Sequence, residues 1–150
     1  MEEPMKTLTF DSVQVGEELP PFIQSVTQET FWKFAVASLD YNPVHCDPEW
    51  VSTAQPFGIP QTVGHGMMTM TFMLSVVSNW AYPAGLHIRR MTSKFIWPVL
   101  AGWTVKCTGT VSEKHLISPG KNYVIVDLKA ENQDGRELAV CRTEVVFPED

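Results

Sequence analysis

At 150 residues with 44% hydrophobic side chains, the chain is long enough for one packed domain (1–150) and too apolar for a disordered one. A net charge of -6, a pI near 5.1 and basic residues scattered apart from Arg89-Arg90 leave no stripe to neutralise phosphates, so no nucleic-acid partner is expected. Cys46, Cys107 and Cys141 are odd in number, widely spaced and without a C-x-x-C pair, which suggests neither a disulfide framework nor a thiolate zinc site and points to reduced thiols in a cytoplasmic protein.

The chain opens on acidic Met1-Glu2-Glu3-Pro4 with no apolar core, so no secretory signal is expected. The first predicted element is a helix over Thr27 to Ser38: Thr27 serves as N-cap, Glu29 favours the first turn, and Phe31, Phe34, Ala35 and Ser38 share one face. Asn42-Pro43 is expected to end it, because a residue before proline avoids the α region. Asp47-Pro48 reads as a new start, with Asp47 as N-cap and Pro48 at the first helical position. Ser52 to Thr62, with Pro56, Gly58 and Pro60, reads as a loop.

No Asp, Glu, Lys or Arg occurs from Trp50 to Ile88. The most apolar part is interrupted by Thr69, Thr71 and Ser75, so a helix buried in a globular protein is expected rather than a membrane span. That helix runs from Gly66 to about Trp80 and is apolar on all sides, which predicts burial all round. Its methionines read as core, with Met67 or Met70 available to line an acyl tunnel; Trp80, Trp97 and Trp103 read as core or interface anchors.

Leu86 to Trp97, Gly102 to Val111, Tyr123 to Ala130 and Leu138 to Phe147 read as strands. Trp103, Val105, Cys107, Gly109 and Val111 alternate with polar residues, the period of a sheet with one wet face. Short connections at Pro98, Ser118-Pro119-Gly120 and Asp134-Gly135 make the pairings antiparallel. The sum is an α+β domain: an antiparallel sheet wrapped around one long central helix.

Chemistry concentrates in Asp40-Tyr41-Asn42-Pro43-Val44-His45 and in Gly64-His65-Gly66. The first sets a carboxylate and an imidazole five positions apart around a proline turn. Free groups of these types titrate near ~4 and ~6.5, so one pocket can hold a proton acceptor and a proton donor near neutral pH. Gly66, opening the long helix, has an N–H in the unpaired first turn, where the dipole adds positive character and the absent Cβ permits close approach. Asn42 is expected to brace the turn or orient His45, and His65 to shape the entry to the helix. His45, Cys46, Asp47 and His65 show no standard ligand spacing, so no metal is expected.

These residues carry a resemblance. Asp40, Asn42, Pro43, His45, Asp47 and Pro48, followed by His65-Gly66-Met67, resemble the MaoC-like, (R)-specific enoyl-CoA hydratases and dehydratases of the hot-dog fold. The resemblance implies reversible addition of water to a 2-enoyl thioester without a cofactor. Asp40 and His45 would flank one water, in either order of acid and base, and the Gly66 N–H would serve as the oxyanion hole. It also implies a dimer, of identical or related hot-dog subunits, acting on coenzyme A thioesters first and acyl carrier protein thioesters second. One departure stands out: the family commonly has glycine before the motif aspartate, where this chain has Leu39, a side chain that would enter the core or reshape the pocket. Two rival readings share the fold. A hot-dog thioesterase needs a carboxylate on the central helix, which this sequence lacks; a non-catalytic acyl-binding subunit needs neither Asp40 nor His45.

Overall fold

The computed structural model describes residues 8–148, so the reading of Met1 to Pro4 lies outside the described residues. Five strands form one sheet: β1 (Glu18–Ser25), β2 (His87–Phe95), β3 (Thr104–His115), β4 (Tyr123–Glu131) and β5 (Glu137–Val146). Their order is β1-β3-β4-β5-β2, and every neighbouring pair is antiparallel. The four predicted strands are present. β1 is the one the sequence reading missed, because Pro20-Pro21 breaks a strand signal. It is tolerated here since β1 lies at a sheet edge and its register shifts between Leu19 and Phe22.

Helix α1 (Gln28–Ser38) starts at Thr27, which forms a reciprocal capping box with Thr30. It ends at Ser38, where the expected helix ended, and its C-cap Leu39 adopts a left-handed φ of 62°. Asn42-Pro43 lies beyond that end and opens the next helix. Asn42 caps α2 (Pro43–Cys46) through Val44 N–H at 3.2 Å, and Pro43 occupies its first turn. Asp47 caps α3 (Pro48–Ala54) by accepting from Trp50 N–H at 2.9 Å, so the expected loop begins only after Ala54.

Helix α4 (Gly66–Ala81) lies against the sheet. Met68, Met73, Val76 and Val77 are buried with Val105, Cys107, Val126, Leu128 and Ala139 in one core. The helix is not buried all round, however. Met67, Thr71, Ser78 and Asn79 are exposed, because the sheet covers only one side of the rod. Trp80 and Trp103 pack against the core, whereas Trp97 remains 43% exposed under the Arg136 guanidinium. No helix among the described residues is long and apolar enough to cross a membrane.

Candidate active site

Local chain geometry brings the two motifs together. The left-handed turn at Leu39 reverses the chain after α1, and Asp40 Oδ1 accepts from Asn42 N–H at 3.2 Å, holding the turn ahead of α2. The single turn of α2 then presents His45 toward Asp40. His45 Nε2 lies 3.9 Å from Asp40 Oδ2, and His65 Nε2 lies 4.0 Å from the same oxygen. Both separations exceed a direct hydrogen bond.

Each imidazole is held by a backbone carbonyl. His45 Nδ1 lies 2.7 Å from Val63 O, and an N–H is needed there because the carbonyl only accepts. That tautomer leaves His45 Nε2 as a bare lone pair facing Asp40. His65 Nε2 lies 3.0 Å from Asp40 O, so it donates in the same way, and its Nδ1 is buried without a partner among the described residues. The two rings stack at 3.9 Å, and Phe34 packs on the outer face of His65. His65 is 2% exposed and stands at the N-cap position of α4, the helix entry where it was expected.

Burial pushes the His45 imidazole below its ordinary value. The bond to Val63 O opposes this, nearby His65 adds to it, and Asp40 opposes it weakly. Burial and then the Asp40 charge push the Cys46 thiol up, which disfavours its thiolate. Burial alone pushes Cys107 up to about 12.

Gly66 begins α4 on the wall of a 350 Å³ cleft shared with His45, Thr69, Phe95, Trp97 and Leu138. Met68 and Thr69 N–H both donate to His65 O, while Gly66 N–H has no acceptor among the described residues. A Cβ added to Gly66 would meet the Phe95 ring first, at an ordinary 3.5 Å. Met67 and Met70 do not line this cleft, and Leu39, 75% exposed, enters neither the cleft nor the core. A 480 Å³ groove bordered by Thr92, Lys94, Asp127, Lys129 and Arg142 contains no imidazole, whereas the smaller cleft contains His45.

Among the described residues, neither Cys46 nor Asp47 falls in a cluster of ligand-type atoms. Asp40, His45 and His65 do bring ligand-type atoms within 4.8 Å of one another. A cation held by all three through the facing nitrogens would cost the His65 bond to Asp40 O.

Sequence reasoning missed the residues that anchor this cluster. Gln28 Nε2 donates to His45 O at 2.9 Å and Trp32 Nε1 donates to Cys46 O at 2.9 Å. The Thr62 hydroxyl donates to Gln28 Oε1. The one available signal was that Gln28 and Trp32 share a face of α1, one turn apart.

With fold and site in hand, comparison with known proteins gives a class and then a family. The R-hydratase PhaJ1 from Pseudomonas aeruginosa superposes with a TM-score of 0.81 at 26% identity, covering 94% of this chain and 86% of that one. The domain is thus a hot-dog fold, with its antiparallel sheet curled on the α4 rod. The family described as "MaoC like domain" matches residues 13–133, and the chain belongs to this MaoC-like hydratase and dehydratase family. The (R)-specific enoyl-CoA hydratase of Rhodospirillum rubrum is 25% identical over 115 residues, 77% of this chain and 75% of that protein. The fatty acid synthase subunit beta of Saccharomyces cerevisiae is 24% identical over 127 residues; the match covers 84% of this chain and only 6% of that subunit.

Proposed function

We propose that this protein adds water reversibly to a 2-enoyl thioester, giving an (R)-3-hydroxyacyl thioester. The observation that carries the reading is the facing pair, Asp40 Oδ2 and His45 Nε2 at 3.9 Å, beside a cleft walled by His45 and by Gly66, whose N–H has no acceptor among the described residues. Family membership supports enoyl thioester hydration in general.

In this reading one water lies between Asp40 and His45. Asp40 carboxylate accepts one of its hydrogens and orients it; the bare His45 Nε2 accepts the other as the water oxygen bonds to C3. The C2–C3 π electrons move toward the thioester oxygen, which the Gly66 N–H stabilises at the positive end of α4. The His45 imidazolium then protonates C2 on the same face, and the thioester carbonyl reforms. Dehydration follows the same steps backward. Asn42 supports the turn and His65 holds the Asp40 backbone by its bond to Asp40 O.

The acyl carrier is coenzyme A first and acyl carrier protein second. A dimer is formed edge to edge, with a second copy or a related hot-dog subunit. The support is the free edge of β2, whose inner face ends in half-exposed Phe95 beside Gly66. The protein acts in the cytoplasm and needs no metal or cofactor for these steps.

The test is an assay of purified protein with short, medium and aromatic 2-enoyl-CoA esters. Loss of the conjugated absorbance reports hydration; free thiol reports hydrolysis and favours the thioesterase reading. Full activity in Asp40→Asn or His45→Gln removes the dyad, and inactivity of a folded protein toward every ester favours the acyl-binding subunit.

A further inference from the structure

We infer that Gln28 is a positioning residue for His45, joining the two backbone segments that set where its Nε2 points. The inference rests on the hydratase reading for its kinetic arm and on geometry alone for its structural arm. α2 is one turn long and does not hold itself together, and the carbonyls at its C-terminal end lack helical partners. Two side chains of α1 supply them: Gln28 to His45 O and Trp32 to Cys46 O, each at 2.9 Å.

Gln28 has a second bond that Trp32 lacks. Its Oε1 accepts from the hydroxyl of Thr62, which is 2% exposed. Thr62 precedes Val63, whose carbonyl fixes His45 Nδ1 at 2.7 Å and whose N–H donates to Val44 O at 3.1 Å. One amide thus links the backbone of His45 on one side to the segment that selects its tautomer on the other. An amide suits this place because it donates and accepts at once; a carboxylate only accepts, and a thioether does neither. Rotation of α2 relative to Val63 moves Nε2 from Asp40, and misplacement of about 1 Å costs a catalytic group about a hundredfold.

The test uses the full chain as Gln28→Met, of similar length without the bonds, Thr62→Val, and the double variant. Two readouts are taken: hydration of a short 2-enoyl-CoA, and the tautomer of His45 by 15N NMR of the imidazole nitrogens. For Gln28→Met we expect kcat to fall about tenfold to a hundredfold with KM within about twofold. We also expect a mixed His45 tautomer in place of the single Nδ1–H form. Thr62→Val should move both readouts the same way by less, and the double variant should fall short of the product of the two effects, as for groups in one chain of bonds. Unchanged kcat and tautomer in folded Gln28→Met overturns the inference, as does a lowered Tm with an unaltered tautomer. If Gln28→Met does not fold, Thr62→Val decides by the same criteria. If the wild-type chain hydrates no ester, the functional reading fails while the tautomer readout still decides the role of Gln28.

Discussion

The sheet-facing middle of α4 and its N-terminal end are built from the same rod but meet different surroundings. At the middle, Val76 packs on the sheet so closely that a Cβ added to Gly109 would meet Leu128 Cδ2 at 2.7 Å and Val76 Cγ1 at 3.2 Å. At the end, a Cβ added to Gly66 would find only an ordinary contact with Phe95 at 3.5 Å. The middle joins a core in which Met73, Val77, Val105 and Val126 are fully buried. The end carries an N–H without an acceptor among the described residues, a half-exposed carboxylate and a stacked imidazole pair. Where side chains fill all available space, a glycine serves packing. Where they leave a cleft open, a glycine leaves room for another molecule.

The largest expected effect falls at the cleft. Asp40→Asn and His45→Gln should each lower hydration by about a hundredfold or more, with thermal unfolding near that of the wild type, since proton transfer and not packing is removed. Steady-state kinetics paired with thermal melts checks this. A large stability loss in either variant would break the contrast by making the cleft part of the core. The two glycines sharpen it next. Gly66→Ala should fold normally and lose about tenfold to a hundredfold in kcat, because the new Cβ occupies the approach to the N–H. Gly109→Ala should lose about 1–3 kcal/mol of stability by overpacking while each folded molecule keeps its activity. Urea unfolding and kcat on both variants separate the two outcomes.

This contrast also marks what was legible in the sequence. The Asp40–His45 pair could be read because a proline turn brings groups five positions apart together by local geometry alone. The alternation along β3 could be read because burial at Val105, Cys107 and Val111 follows a strict period of two. β1 could not, because a strand with two prolines survives only as an edge with a bulge, and which strands form edges is a property of the whole sheet. The all-round burial expected of α4 failed for a related reason: apolar composition does not reveal how far one chain's sheet can reach. Gln28, Thr62 and Val63 were illegible because they meet His45 across 17 or 18 positions of chain, or meet it only through each other.

Leu39 offers a smaller effect, at the border between the regions. A side chain at φ 62° bears about 1–2 kcal/mol of strain that glycine does not, offset by the greater freedom glycine has when unfolded, about 0.4–1 kcal/mol. Its side chain is exposed, so little packing is lost on its removal. Leu39→Gly should therefore raise stability by about 0.5–1 kcal/mol, or Tm by about 1–4 °C. A fall in Tm would show that Leu39 holds α1 to the cleft by contact and that glycine does more at this position than relieve strain.

The smallest effect is the pH dependence of stability carried by His45, and its sign follows from burial. The folded imidazole binds a proton less readily than the unfolded one, whose value is near ~6.5. Between the two values the unfolded chain therefore holds more protons, and stability rises with pH through that window. Above the unfolded value the group is neutral in both states and costs nothing; as pH falls below it, His45 progressively favours unfolding until the folded value is passed. His45→Gln removes this contribution, so the wild type should lose stability relative to the variant as pH drops from about 7.5 to about 5. On the proposed mechanism, in which the neutral ring accepts a proton from water, the same displacement should put the acid limb of kcat/KM below the ordinary imidazole value of about 6.5. Paired melts across that range and a pH–rate profile measure the two consequences independently. Gly109→Ala, which touches no titrating group, should give a stability deficit that is flat over the same range. A deficit that instead tracked pH would mean that the core and the cleft share their strain, and that the two ends of α4 do not act separately.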